Sequence, residues 1–184
     1  MTTFQFTSQN QSEVKKIIAK YPAGRQKSAV MPLLDLAQRQ NNNFISKDII
    51  EHIAEVLELA PIQVYEVASF YSMYNLKPVG KYLIQVCGTT PCMLRGAEDL
   101  IRVCKDKLGI NREETSEDKL FTLKEVECLG ACVNAPMIQI NDDYYEDLNP
   151  EIFAQILDDL KAGKPVRIGS QTGRVSSEPK LNVE

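Results

Sequence analysis

Through the first 76 residues, apolar positions recur at intervals of three and four, the period of helices that each bury one face. Val14, Ile17 and Ile18 mark a short helix over 13–20, ended by Tyr21-Pro22-Ala23-Gly24. Ala29, Leu33, Leu36 and Ala37 mark a second over 28–40, with Pro32 in its first turn, where a missing N–H costs little. After a turn at Asn41-Asn42-Asn43, Ser46 reads as the N-cap of a third helix, flanked by Ile45 and Ile50 at staple spacing. That helix runs to about Leu59 with Ile49, Ile53, Ala54 and Leu57 inward. Pro61 opens a fourth, striped by Val64, Val67, Ala68 and Tyr71.

The period changes at Pro78-Val79-Gly80. The runs 82–86, 121–126 and 137–140 are rich in β-branched residues and predict strands, and 144–146 a fourth, reached through a turn at Asn141-Asp142-Asp143. One helix is expected over 94–108, with Ala97, Leu100, Ile101, Cys104 and Leu108 inward, and a last over 151–161, capped by Asn149-Pro150. The order is β-α-β-β-β-α. A crossover through the 94–108 helix makes the first two strands parallel. The fold class is therefore α+β, a small helical bundle followed by a sheet domain. The expected divisions are a flexible N-terminus at 1–9, the bundle at 10–78, the sheet domain at 79–162 and an extended tail at 163–184.

Composition narrows the classes. The chain has 184 residues, 43% of them hydrophobic, and a net charge of −4, ordinary for a globular protein and unfavourable for a nucleic-acid surface. The third and fourth helices have the look of a helix-turn-helix, but the span from Ile62 to Tyr74 holds Glu66 and no Lys or Arg, and phosphate contacts need cations. No apolar run reaches membrane-spanning length, so no direct membrane insertion is expected. The first ten residues lack a secretory or transit pattern, which reads as a bacterial cytosolic chain or one relieved of a presequence. His52, among acidic neighbours, reads as a solvated helix residue.

Five cysteines in such a chain argue for metal or redox use over disulfides. Cys87 and Cys92 form a C-x4-C pair and Cys128 and Cys132 a C-x3-C pair, each directly after a predicted strand. If those strands are parallel neighbours, four thiolates converge, and such a set binds zinc or an iron–sulfur cluster. Structural zinc favours tighter C-x2-C loops, so the spacing leans to iron–sulfur and leaves zinc open, as the staple of an interaction module. The plant ferredoxin order is absent, and disulfide exchange normally uses C-x2-C at a helix start. Cys104 falls in a core stripe and receives no ligand role.

The stretches Gln85-Val-Cys87-Gly-Thr-Thr-Pro-Cys92-Met-Leu-Arg-Gly96 and Glu127-Cys128-Leu-Gly-Ala-Cys132-Val-Asn-Ala-Pro136 closely resemble the 24 kDa (bacterial E) subunit family of respiratory complex I, whose members are thioredoxin-like [2Fe-2S] ferredoxins. The resemblance extends over roughly 10–161, including Ser28 to Gln38 and Glu66 to Tyr71. It implies a thioredoxin-like sheet domain lacking one helix, with Pro136 where thioredoxins carry a cis proline. It further implies one [2Fe-2S] cluster, with Cys87 and Cys92 on one iron and Cys128 and Cys132 on the other. Such a cluster formally carries two negative charges and gains a third on reduction, so its surroundings set its potential. Amides at Gly88, Gly130 and Ala131, the helix end near Leu94 and the cation of Arg95 are candidates for that role.

No dinucleotide fingerprint occurs. The resemblance instead places NADH and FMN on a neighbouring flavoprotein subunit. The chain would be one piece of a proton-translocating NADH:quinone oxidoreductase, with other peripheral-arm subunits as partners and no complete active site of its own. It would lie on the cytoplasmic face of a bacterial inner membrane or on the mitochondrial matrix side. NAD-linked hydrogenases and formate dehydrogenases share these motifs and remain the alternative. The stretch 163–184 carries Lys164, Arg167, Arg174 and Lys180 against Glu178 and Glu184, a net +2, and reads as a tail for docking on a partner or as a disordered end.

Overall fold

The helical periods of the first 76 residues become four helices, α1 (Ser8–Ala19), α2 (Val30–Gln40), α3 (Lys47–Val56) and α4 (Pro61–Phe70). They belong to a computed structural model that describes residues 4–175, in two compact units that divide between Val79 and Gly80. In the first unit Leu33, Leu34, Ile49, Ile53 and Val64 are fully buried.

Four expectations for this unit need correction. Residues 4–9 are not a free end. Phe6 is buried, the Phe4 amide donates to the Asp48 carboxylate at 2.9 Å, and Thr7 accepts from the Asn10 amide as N-cap of α1. His52 is half-buried rather than solvated, its ring 5.7 Å from Phe4 and 5.5 Å from Phe6. Ser46 does stand at the N-cap of α3, but its hydroxyl caps no amide and donates to Asp48. That hydrogen bond holds the Asp48 carboxyl below its ordinary value. Finally, α4 stops at Phe70, so Tyr71 turns outward and Tyr74 fills the core. The Tyr74 hydroxyl donates to the Met31 carbonyl at 2.9 Å, and burial pushes it up to about 12.

In the second unit, β1 (Tyr82–Cys87), β2 (Phe121–Val126), β3 (Ile138–Ile140), β4 (Asp143–Glu146) and β5 (Gly169–Ser170) form one sheet in the order β2-β1-β3-β4-β5. β1 and β2 are parallel, in register from Tyr82 opposite Phe121 to Cys87 opposite Val126. β3 runs antiparallel to β1 and to β4. Gly80 lets the chain enter the sheet, since a Cβ there would sit 2.8 Å from the Phe121 backbone. Its N–H donates to Thr122 Oγ1 at 2.7 Å.

The helix expected over 94–108 begins only at Ala97, as α6 (Ala97–Leu108), and a separate short helix, α5 (Thr90–Leu94), precedes it. Gly96 breaks them apart at φ +103°, a conformation other residues rarely adopt. α7 (Pro150–Lys161) is capped by Asn149, whose side chain accepts from the Ile152 amide at 2.8 Å. α6 and α7 pack together, and Leu100, Cys104, Phe153, Ile156 and Leu157 meet Ile84, Phe121, Leu123 and Ile138 in one core.

The outer side of β2 is paired, and so is part of the outer side of β4. Along β2, Glu113, Glu114 and Ser116 exchange main-chain hydrogen bonds with Phe121 and Leu123. Along β4, β5 pairs in parallel, Tyr145 opposite Gly169. The described part of the expected tail is therefore folded onto its own unit, because Gly169 and Ser170 complete a ladder that β4 leaves open. Glu178, Lys180 and Glu184 lie outside the described residues. Among the described residues no helix is long and apolar enough to cross a membrane.

Candidate metal centre

Parallel pairing decides where the thiols go. Cys87 ends β1, and its register partner Val126 ends β2 two residues before Cys128. Both chains therefore leave the sheet on the same side. The first turns into α5, which carries Cys92. The second loops through Gly130, at φ +89°, into a single helical turn over Cys132–Asn134. The following Ala135–Pro136 peptide is cis, as the resemblance implied.

All four cysteines are free thiols, Cys87 and Cys92 buried and Cys128 and Cys132 exposed. Cys128 and Cys132 lie Sγ to Sγ at 3.4 Å, and the Cys87 and Cys92 thiols act on each other's acidity. The pairs also feel one another: Cys87 acts electrostatically on Cys128 and Cys132, and Cys132 on Cys92. The structure thus brings the predicted residues together as two adjoining pairs. Among the described residues no group of three or more His, Cys, Asp or Glu side chains surrounds a single ion position. Cys104 lies apart in the core, its thiol pushed up to about 12 by burial.

Within each pair the two thiols differ. Burial pushes the Cys87 thiol up, but hydrogen bonds from the Thr89 hydroxyl, the Leu129 and Thr89 amides and Cys92 outweigh it, and the net shift is down. Cys92 is pushed up to about 11 by burial and by its bond to Cys87. Cys128 is lowered by the Gly130 amide, then by Cys132 and Thr89. Cys132 is raised, chiefly by its bond to Cys128. Thiolate is the ligating form, so amides aimed at sulfur prepare the site for metal. Four thiols in two pairs suit a two-iron cluster by the chemistry of the donor set, since each iron takes two sulfurs.

The donors differ in part from those expected. Gly130 supplies its amide to Cys128, but the Gly88 amide is spent on the Val126 carbonyl at 3.0 Å. The amides of Leu129 and Met137, and both polar groups of Thr89, were not legible from the sequence. Composition marks only small residues such as glycine and alanine as uncovered, whereas any loop residue can turn its N–H inward. No helix start at Leu94 faces Cys92, because Cys92 is itself inside α5. Arg95 is exposed.

A second set of side chains fixes the 128–134 loop. The Tyr144 hydroxyl donates to the Leu129 carbonyl at 2.7 Å. Asp147, whose side chain is 8% exposed, accepts from Asn134 Nδ2 at 3.1 Å, Ser170 Oγ at 2.6 Å and Arg174 Nε at 3.0 Å. Arg174 also donates to the Val133 carbonyl. Burial pushes the Asp147 carboxyl up, but the bonds from Arg174 and Ser170 outweigh it and hold it below its ordinary value.

Because the folded group gives up its proton more readily than an unfolded aspartate, this clamp contributes fully above the ordinary pKa of about 3.9. Its contribution is lost as the pH falls through the lower folded value. Asp147→Asn is expected to cost about 1–2 kcal/mol at pH 7, half-exposed Arg174 counting for little. In urea unfolding the gap to wild type should shrink at pH 3; a gap of the same size there would show that the charge of Asp147 is not what holds the loop.

A family model described as thioredoxin-like [2Fe-2S] ferredoxin matches residues 14–161. The chain is 56% identical over 161 residues to the E subunit of the NADH-quinone oxidoreductase of Rickettsia bellii, covering 88% of this chain and 96% of that one. It is 53% identical over 177 residues to the mitochondrial NADH dehydrogenase [ubiquinone] flavoprotein 2 of Dictyostelium discoideum, covering 96% and 72%. Among solved structures, an NAD+-reducing [NiFe]-hydrogenase in the air-oxidized state is similar in fold, with a TM-score of 0.63 at 19% identity. That match covers 72% of this chain and only 23% of the hydrogenase chain.

Proposed function

The chain belongs to the thioredoxin-like [2Fe-2S] ferredoxin family, and on that premise we propose that it is an electron-carrying subunit of a proton-translocating NADH:quinone oxidoreductase, respiratory complex I. Cys87, Cys92, Cys128 and Cys132 hold one [2Fe-2S] cluster, the first two on one iron and the last two on the other. When bound, that cluster accepts and gives up single electrons. The observation that carries this reading is the meeting of two thiol pairs on loops that leave parallel neighbouring strands at one end.

The residues around the cysteines divide the work. Buried Cys87 and Cys92 anchor the site to the core. Exposed Cys128 and Cys132 form its outer side, where a redox partner approaches most closely. Met93, Leu94 and Val133, exposed by 56%, 75% and 53% beside these cysteines, offer a partner apolar surface that keeps water from the site. That partner is the NADH- and FMN-binding flavoprotein subunit, whose flavin exchanges electrons with this chain, and further peripheral-arm subunits surround the pair. The assembly lies on the cytoplasmic face of a bacterial inner membrane or on the matrix side of a mitochondrial one.

Anaerobically purified protein is expected to be red-brown and to give an EPR signal on reduction with dithionite. Colourless protein with one zinc per chain would end this reading in favour of a zinc-stapled interaction module. A pull-down with the tagged chain should bring down a flavoprotein that oxidises NADH. Recovery of a hydrogenase or formate dehydrogenase flavoprotein would instead reassign the complex while keeping the cluster.

A further inference from the structure

Thr89 stands at the N-cap of α5, with φ −79° and ψ 167°. A threonine there ordinarily turns its hydroxyl onto the unpaired amides of the first helical turn. This one caps none of them. The half-buried hydroxyl lies 3.3 Å from Cys87 Sγ. Thr89 also helps to lower the thiol of Cys128, on the other cysteine loop. The side chain therefore touches a sulfur of the first pair and leaves the helix uncapped. Once the cysteines bind metal their sulfurs have no proton to donate, so the hydroxyl is left as the donor to Cys87.

We propose that Thr89 is a positioning residue that raises the reduction potential of the cluster, acting through the sulfur of Cys87. This rests on the [2Fe-2S] reading given above. Reduction adds one electron, supplied by dithionite in the assay and by the flavin partner in the complex, and no bond at Thr89 breaks. The negative charge on sulfur grows, and a hydrogen bond to a more negative acceptor is stronger. The bond thus favours the reduced state over the oxidised one, a lever that acts from outside the ligand set.

The test is a redox titration of the full chain with its cluster loaded, followed by EPR. Thr89→Val keeps the shape and removes the donor. At any fixed potential it should lower the ratio of reduced to oxidised protein about tenfold, which for one electron is a shift of about 59 mV to more negative values. Thr89→Ser restores the donor and should return the ratio to within about twofold of wild type. Thr90→Val, an exposed neighbour, should leave it unchanged.

A wild-type ratio in Thr89→Val overturns the inference. Should that variant not load, Thr89→Ala is titrated in its place by the same criterion. Failure of both to load while Thr89→Ser loads would make the hydroxyl a requirement for holding the cluster, and tuning would be rejected. Wild-type protein without a [2Fe-2S] signal would instead sink the function reading itself, which separates the two failures.

Discussion

With Cys92 replaced by serine, the full chain is expected to lose its cluster absorbance and EPR signal, while Cys104→Ala keeps both. The two residues are alike in burial and differ in company. Besides burial, Cys87, the Met137 amide and the charge of Cys132 all act on the Cys92 thiol. Cys104 lies on the core stripe of α6, where only burial acts on its thiol. Loss of a ligand should lower cluster content by more than about tenfold, since changes outside the ligand set already cost that much. Alanine at 104 removes little more than the bulk of one methylene, about 1 kcal/mol, and strands no polar group. Iron and sulfide assays on the two variants decide the matter, and equal loss in both would show the ligand assignment to be wrong.

Phe121→Ala is expected to destabilise the second unit by about 3–5 kcal/mol, against a typical domain stability of about 5–15 kcal/mol. Phe121 is fully buried at the start of β2. Its ring stacks on Tyr82, its register partner across β1, at 5.4 Å. The same pairing sets how far along the sheet each cysteine loop departs, so the damage should extend beyond stability. Cluster retention on mild warming should fall together with the urea midpoint. A variant with a lowered midpoint but wild-type cluster retention would show that this end of the sheet does not govern the loops.

The sequence carried the elements whose periodicity is long and unbroken. α3 and α7 fall close to where their stripes place them, and β2 has the predicted bounds. The placement of the two cysteine pairs on one side of the sheet was legible because each pair follows one of two strands expected to be parallel. What escaped was governed by distant partners. Tyr71 and Tyr74 both suit an apolar face, and only the end of α4 at Phe70 decides which is buried. Phe4 and Phe6 read as a loose end because what covers them, His52 on α3, lies far along the chain. Gly96 has no side chain to announce a break, and its positive φ is a property of the fold. Asp147 and Arg174 sit in unremarkable surroundings in the sequence, 27 residues apart, and meet only because β5 doubles back.

That return of the chain has a further consequence, together with the cover along β2. A strand with unpaired main-chain groups is a template on which another molecule can build, and β-rich proteins often associate by that route. Here residues 113–116 pair along β2, and the two-residue β5 pairs with the end of β4, so only short edges are left for another copy to zip onto. A free copy of the protein is thereby guarded against fibrous aggregation.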